Sequence, residues 1–191
     1  MLTPLRLYYA TRDGQAQRIA RHIADRLGEF GHAVDPANLA AKLPEPEGLS
    51  GVGLVIVVAA VRYGRHLPEA VQLFSVYGRQ PSAPPLAVAS VNLTARKPGK
   101  DTAEGNAYLR KAIRRHRLRP VLAMAFAGRL DYARYRWLDR QMIRFIMKLT
   151  GGPTDPTTCV EFTAWDRVDA FAAGIADWLE RSGAQEQPQA R

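Results

Sequence analysis

An α/β domain with a doubly wound parallel sheet is the fold class this sequence predicts, and three observations predict it. Strand-like and helix-like segments alternate along the chain. One of them, Leu54 to Ala60 (LVIVVAA), is continuously apolar and β-branched, as expected of a parallel strand buried on both faces near the sheet centre. The first strand passes through a short glycine-containing loop straight into a helix.

In chain order, Leu5 to Tyr9 reads as that first strand, and Gln15 to Phe30 as the helix, with Ile19, Ala20, Ile23, Ala24, Leu27 and Phe30 at helical spacing. Gly31 to Asp35 is expected as a second strand and the Pro-rich stretch Pro44 to Gly48 as a surface loop. After the central strand come a helix over Pro68 to Tyr77, a fourth strand over Leu86 to Val91, a helix over Glu104 to His116 and a fifth strand over Val121 to Ala127. A short strand, Cys159 to Thr163, precedes a last helix, Asp166 to Arg181, with Asp166 as its N-cap. The segment from Gly128 to Pro156 does not fit a minimal five-strand domain and is read as an insertion. The domain is expected to span residues 1–182, with 183–191 a disordered tail.

The 191 residues, 47% of them hydrophobic, suffice for one substantial core and are few for two. No apolar run reaches the roughly 18 residues a membrane-spanning helix needs, and no basic leader with a cleavage site opens the chain. The single cysteine, Cys159, has no partner for an internal disulfide and no metal-cluster spacing, and is expected to fill the core; a cytoplasmic location follows. The formal charge of +9 is uneven: residues 96–150 hold fifteen Lys or Arg against four acids, a local +11, which leaves −2 for the rest. Such a region attracts anions of any class, whether phospholipid, nucleic acid or polycarboxylate.

Strand, loop and helix start at Tyr9 to Gln15 form an anion site by construction, since unpaired amides and the helix dipole point out of the loop. Gly14 gives the close backbone approach and Thr11 a hydroxyl. A capped helix start with no ligand has the same spacing. Two further loops lie at the same strand ends: Arg62-Tyr63-Gly64 after the central strand and Ser90-Val91-Asn92-Leu93 after the fourth. Three such loops would hold a phosphate and two faces of a flat ring. Neither Walker A nor Gly-x-Gly-x-x-Gly is present, against ATP and a Rossmann NAD site.

These blocks, with Ser90 through Pro98 and Arg134-Tyr135-Arg136-Trp137 through Gly151-Gly152, resemble the menaquinone-dependent protoporphyrinogen IX dehydrogenases of bacterial haem biosynthesis over nearly the whole chain. The resemblance implies a flavodoxin-like fold with strand order 2-1-3-4-5 and helices on both faces, bound FMN, oxidation of the tetrapyrrole in three two-electron steps, and a quinone, menaquinone, as acceptor. It places cofactor contacts on Thr11, Arg12, Asp13, Gly14 and Gln15, on Arg62, Tyr63 and Gly64, and on Ser90, Val91, Asn92 and Leu93. Ala16 departs from the flavodoxin pattern, where a hydroxyl residue is usual. Asp13 sets an acid beside a dianion, so it needs loop amides or Arg12 as a partner.

For the substrate propionates the sequence offers Arg96, Lys97, Arg134 and Arg136, with Tyr132 nearby; His66 and Tyr132 are the nearest candidates for a proton acceptor. From Trp137 to Leu149, Leu138, Met142, Phe145, Ile146 and Leu149 share one helical face, while Arg136, Arg140, Arg144 and Lys148 recur every fourth residue on the other. Three roles are compatible with this pattern: a helix packed on its own sheet, an interfacial helix on anionic lipid, and a wall for a carboxylated substrate. Peripheral attachment to the inner face of the membrane is the expected setting. The alternatives are an NAD(P)H-quinone reductase or electron carrier of the same fold, and a nucleic-acid binder, which no motif supports.

Overall fold

The central strand sets the architecture. In the computed structural model, which describes residues 4–80, 82–132, 137, 141, 143, 144, 147, 148, 154, 155 and 157–185, strand β3 (Leu54–Arg62) is buried from Leu54 through Ala59. Parallel neighbours flank it: β1 (Leu5–Ala10) in register Leu5 to Leu54, and β5 (Leu86–Val91) in register Val55 to Leu86. β2 (Pro36–Asn38) and β6 (Pro120–Phe126) form the two edges, giving the order β2-β1-β3-β5-β6. With the two-residue strand β4 (Arg65–His66) set aside, this is the expected 2-1-3-4-5 order, and β4 folds back antiparallel on the end of β3.

Helices cover both faces. α1 (Gln15–Glu29) and α4 (Trp165–Gln185) pack on one, where Ile19, Ile23 and Leu27 meet Val168, Phe171 and Ile175 over Leu7, Ile56 and Val58. α2 (Pro68–Tyr77) and α3 (Ala107–His116) close the other over Val55, Val57 and Val88. Alternate residues of one strand therefore feed two separate cores, so a continuous apolar run is required.

Several expectations shift. The second strand lies at Pro36–Asn38 and not at Gly31 to Asp35, because pairing with Leu7, Tyr8 and Tyr9 of β1 decides its register. Residues 46–49 form a 3-10 turn. The last helix opens at Trp165, which puts Asp166 inside the first turn rather than at the cap, and it continues to Gln185, taking in the first three residues of the expected tail. Residues 186–191 lie outside the described residues.

The base of the insertion is closed by a second sheet. β7 (Arg129–Asp131) pairs antiparallel with β8 (Cys159–Glu161), so the expected Cys159 to Thr163 strand is shorter and Cys159 is exposed instead of filling the core. Only one face of this two-stranded sheet is covered, through Leu130, and Cys159 is exposed. Positions 137, 141, 143, 144, 147 and 148 are helical. Among them Met147 is buried and Ile143 half-buried against Leu130 and Tyr132, whereas Trp137 and Lys148 are exposed. Arg144 turns its Nε to the Thr154 carbonyl at 2.9 Å. Arg134, Arg136, Leu138, Arg140, Met142, Phe145, Ile146 and Leu149 lie outside the described residues.

Candidate functional site

Parallel strands deliver their C-terminal loops to one edge of the sheet, and here three of them enclose an open cleft. Thr11, Asp13, Gln15 and Ala16 line it from the β1–α1 loop, Arg62, Tyr63 and Gly64 from the end of β3, and Val91, Asn92 and Leu93 from the end of β5. Arg12, Gly14 and Ser90 do not line the cleft; they act on residues that do.

The β1–α1 loop is shaped by Gly14, whose φ of 87° lies in the left-handed region that side chains disfavour. Thr11 Oγ1 accepts from the Gly14 amide at 3.0 Å, so the hydroxyl ties the loop. No side chain caps α1, which leaves its first-turn amides facing an incoming anion.

Ion pairs then fasten the loop to distant elements. Arg12 forks onto Glu69 of α2 at 2.5 and 3.1 Å. Burial pushes the Glu69 carboxyl up, and the Arg12 bonds, together with its own amide, outweigh that and hold it below the ordinary carboxylate value. Asp13 pairs with Arg62 rather than Arg12, which compensates the acid across the cleft. The Gln15 amide bonds Glu161 at 3.0 Å and Thr163 at 2.9 Å, and Arg18 reaches Glu161 at 2.9 Å. Thr163 in turn donates to the Ala127 carbonyl at 2.8 Å, so the helix start and the base of the insertion form one unit.

Tyr63 (φ 51°) and Gly64 (φ 74°) are the two central residues of the β3–β4 hairpin, and two positive φ values make it a type I′ turn. The turn lifts Tyr63 into solvent at 56% exposure, with the Arg62 guanidinium 5.9 Å from its ring centroid. An exposed aromatic in a strained conformation at the lip of a cleft is a stacking surface for a flat ring.

The facing wall is buried and neutral. Ser90 Oγ meets His66 Nε2 at 2.9 Å and accepts from the Asn92 amide at 3.1 Å. Asn92 Oδ1 accepts from the Ala95 amide at 3.2 Å and from Asn106 Nδ2 at 3.1 Å. Asn106 also caps α3, through the Leu109 amide at 3.2 Å, and donates to the Lys100 carbonyl at 2.8 Å. Burial, with the nearby His116 adding a smaller Coulomb effect, pushes His66 down to about 4, so its ring is neutral at pH 7.

Neither proton-acceptor candidate opens on the cleft: His66 supports Ser90 from behind, and Tyr132 is fully buried, which raises its phenol. Of the propionate candidates, Arg96 returns its guanidinium to the Leu93 carbonyl at 2.8 Å and, with Lys97, lines a different depression beside Pro98, Asp101 and Arg167. The cleft also takes Tyr108 from α3, Arg129 from β7 and Ile143 from the insertion, none of them evident from a loop motif. Among the described residues no group of three or more His, Cys, Asp or Glu could hold a metal, and no helix is long and apolar enough to cross a membrane.

The arrangement fits FMN: uncapped amides for a phosphate, an exposed aromatic and a fixed amide-rich wall for a flat ring, and one acid that is already paired. A family model described as a flavodoxin domain matches residues 6–157. The protoporphyrinogen IX dehydrogenase [quinone] of Escherichia coli K12 is 39% identical over 92% of this chain and 96% of its own length. The protein of that name from Leishmania major is 37% identical over 89% of this chain and 73% of its own. Among solved structures, oxidised flavodoxin 1 of Bacillus cereus superposes with a TM-score of 0.55 at 12% identity, over 92% of this chain and 98% of that one, a likeness of fold. The chain belongs to the flavodoxin-domain family and, within it, to the protoporphyrinogen IX dehydrogenases [quinone].

Proposed function

We propose that this chain oxidises protoporphyrinogen IX to protoporphyrin IX with FMN as cofactor and passes the electrons to a quinone, menaquinone, at the inner face of the membrane. The observation that carries the reading is the cleft itself, three strand-end loops framing an anion site and a ring site in a chain 39% identical to a dehydrogenase of that name.

In this reading Thr11 to Gln15 hold the phosphate, with Gly14 allowing the backbone approach and Arg12 kept in place by Glu69. Arg62 to Gly64 cover one face of the ring and Val91 to Leu93 the other, with Ser90 fixing Asn92 from beneath. FMN, when bound, supplies the acceptor for a hydride and its electrons. Leu93, Ile143 and Tyr108 border the ring site, and the proton leaves to water at the open mouth of the cleft, which neither His66 nor Tyr132 lines. Lys148, exposed on the insertion, and its basic neighbours in sequence give the anionic membrane surface its contact.

A spectrum of the purified protein followed by anaerobic titration with protoporphyrinogen IX tests this. The expected result is a yellow protein that loses its flavin absorbance with that substrate and regains it with a menaquinone analogue. Flavin that responds to NADPH and ignores the porphyrinogen would instead make it a quinone reductase. Sedimentation with anionic vesicles, lost at high salt, is expected; a protein that stays in the supernatant at low salt overturns the membrane setting.

A further inference from the structure

A second depression adjoins the cleft along the seam between α2 and α3. The two share Gly64 and Tyr108 as a border, so a ligand seated in the depression is able to reach the mouth of the cleft. On α3 the lining residues Tyr108, Lys111, Ala112, Arg115 and His116 fall at i, i+3, i+4, i+7 and i+8, one face of the helix and a span of about 12 Å at 1.5 Å per residue. Opposite them stand Pro68, Val71 and Phe74 of α2. The far end is closed where the helices touch: a Cβ on Gly78 would lie 1.7 Å from the His116 carbonyl oxygen. The groove is thus a slot that opens toward the hairpin carrying Tyr63.

Its chemistry is divided. The floor is largely apolar, with Val71, Phe74 and Ala112 beside the neutral ring of His66 and the half-buried His116, and the rim carries Arg65, Lys111 and Arg115, all exposed. Among the described residues no carboxylate pairs with any of these three, in contrast to Arg12, Arg18 and Arg62, each of which has one. Guanidinium and ammonium groups around a largely apolar floor suit a ligand with an apolar body and carboxylates at its edge. A neutral quinone tail would leave the cations without a role. Nucleic acid would take phosphate contacts along an open face and leave the floor empty.

We infer that the α2–α3 groove is the site for the carboxylate edge of the porphyrinogen, with Arg65, Lys111 and Arg115 receiving its propionates while the macrocycle reaches over Gly64 and Tyr108 to the mouth of the cleft that holds FMN. This rests on the function proposed above. It moves the propionate contacts from Arg96 and Lys97, which open on another depression, to cations the sequence did not single out.

The test is K111A/R115A, two exposed positions, beside R96A/K97A and wild type. Roughly tenfold or larger rise in KM for protoporphyrinogen IX is expected for K111A/R115A, with FMN content and the KM for quinone unchanged. In parallel, fluorescence titration with protoporphyrin IX should weaken by a similar factor, while the dimethyl ester of the porphyrin binds wild type and variant alike. A wild-type KM and wild-type affinity in K111A/R115A, equal losses for acid and ester, or a rise confined to R96A/K97A each overturn the groove. Failure of the wild-type protein to oxidise the porphyrinogen sinks the function reading alone, since the acid-against-ester titration still reads the groove.

Discussion

The two loops that face each other across the cleft are held by opposite chemistry. The β1–α1 loop and the start of α1 are fastened by ion pairs: Arg12 to the buried Glu69, Asp13 to Arg62, and Arg18 to Glu161 at the surface. The β5–α3 loop is fastened by a neutral buried network of Ser90, Asn92, Asn106 and His66, each no more than 7% exposed. Exposed pairs such as Arg18–Glu161 contribute little each and are screened by salt, whereas a buried polar group costs about 1–3 kcal/mol when its partner is removed. One wall should therefore answer to salt and the other to pH.

The largest effect should come from pH. His66 is pushed down to about 4 in the folded chain against an ordinary 6.5. Between those values the unfolded chain binds the extra proton, so stability falls as pH drops from about 6.5 and the loss is complete below about 4, amounting to roughly 3 kcal/mol. Equilibrium denaturation across pH 7 to 4 reads it, and H66Q should remove the part of the slope that comes from this group. An unchanged slope in H66Q breaks the assignment.

Next comes Asn106→Ala, which removes the α3 cap, the bond to Asn92 and the bond to the Lys100 carbonyl. About 2 kcal/mol and a Tm lower by roughly 4–8 °C are expected, the same at low and high salt. A salt-dependent loss would mean that charge holds this wall as well.

How much of this was legible depends on whether the information is local. Gly14 followed by a helical apolar pattern marked the anion loop, and LVIVVAA marked the central strand, because turn geometry and two-sided burial both impose their own residue types. The edge strand was misplaced because Pro36–Asn38 holds its place by pairing with β1, which no local propensity encodes. Cys159 was misjudged for a similar reason: burial of a short strand depends on what covers it. The partners of the anion loop were out of reach, since Arg12 finds Glu69 57 residues away, Asp13 finds Arg62 at 49 and Arg18 finds Glu161 at 143. Tyr108, Arg129 and Ile143 arrive in the cleft by tertiary packing alone.

Gly14→Val is a smaller test, aimed at the backbone of the charged wall. At φ 87° a β-branched residue costs about 1–2 kcal/mol, and the added Cβ itself meets nothing within 4 Å. The strain should appear as a lower Tm and FMN bound roughly tenfold more weakly, because relieving it moves the amides that face the anion. Weakened FMN with an unchanged Tm would instead mean that the side chain obstructs the site directly.

The smallest expected effect separates the two walls most cleanly. Arg18 and Glu161 are 51% and 28% exposed in their side chains, so Arg18→Ala should cost no more than about 1 kcal/mol at low salt and close to nothing at 1 M NaCl. Gln15 remains on Glu161 and Thr163, so the helix start stays tied to the base of the insertion without the charge. Gln15→Ala at the same salt concentrations completes the comparison: its bond to Thr163 is buried, and its loss should persist undiminished at 1 M NaCl. If both losses fade with salt, then charge and not the buried amide couples the anion loop to the insertion, and the two walls of the cleft are less different than their hydrogen bonds imply.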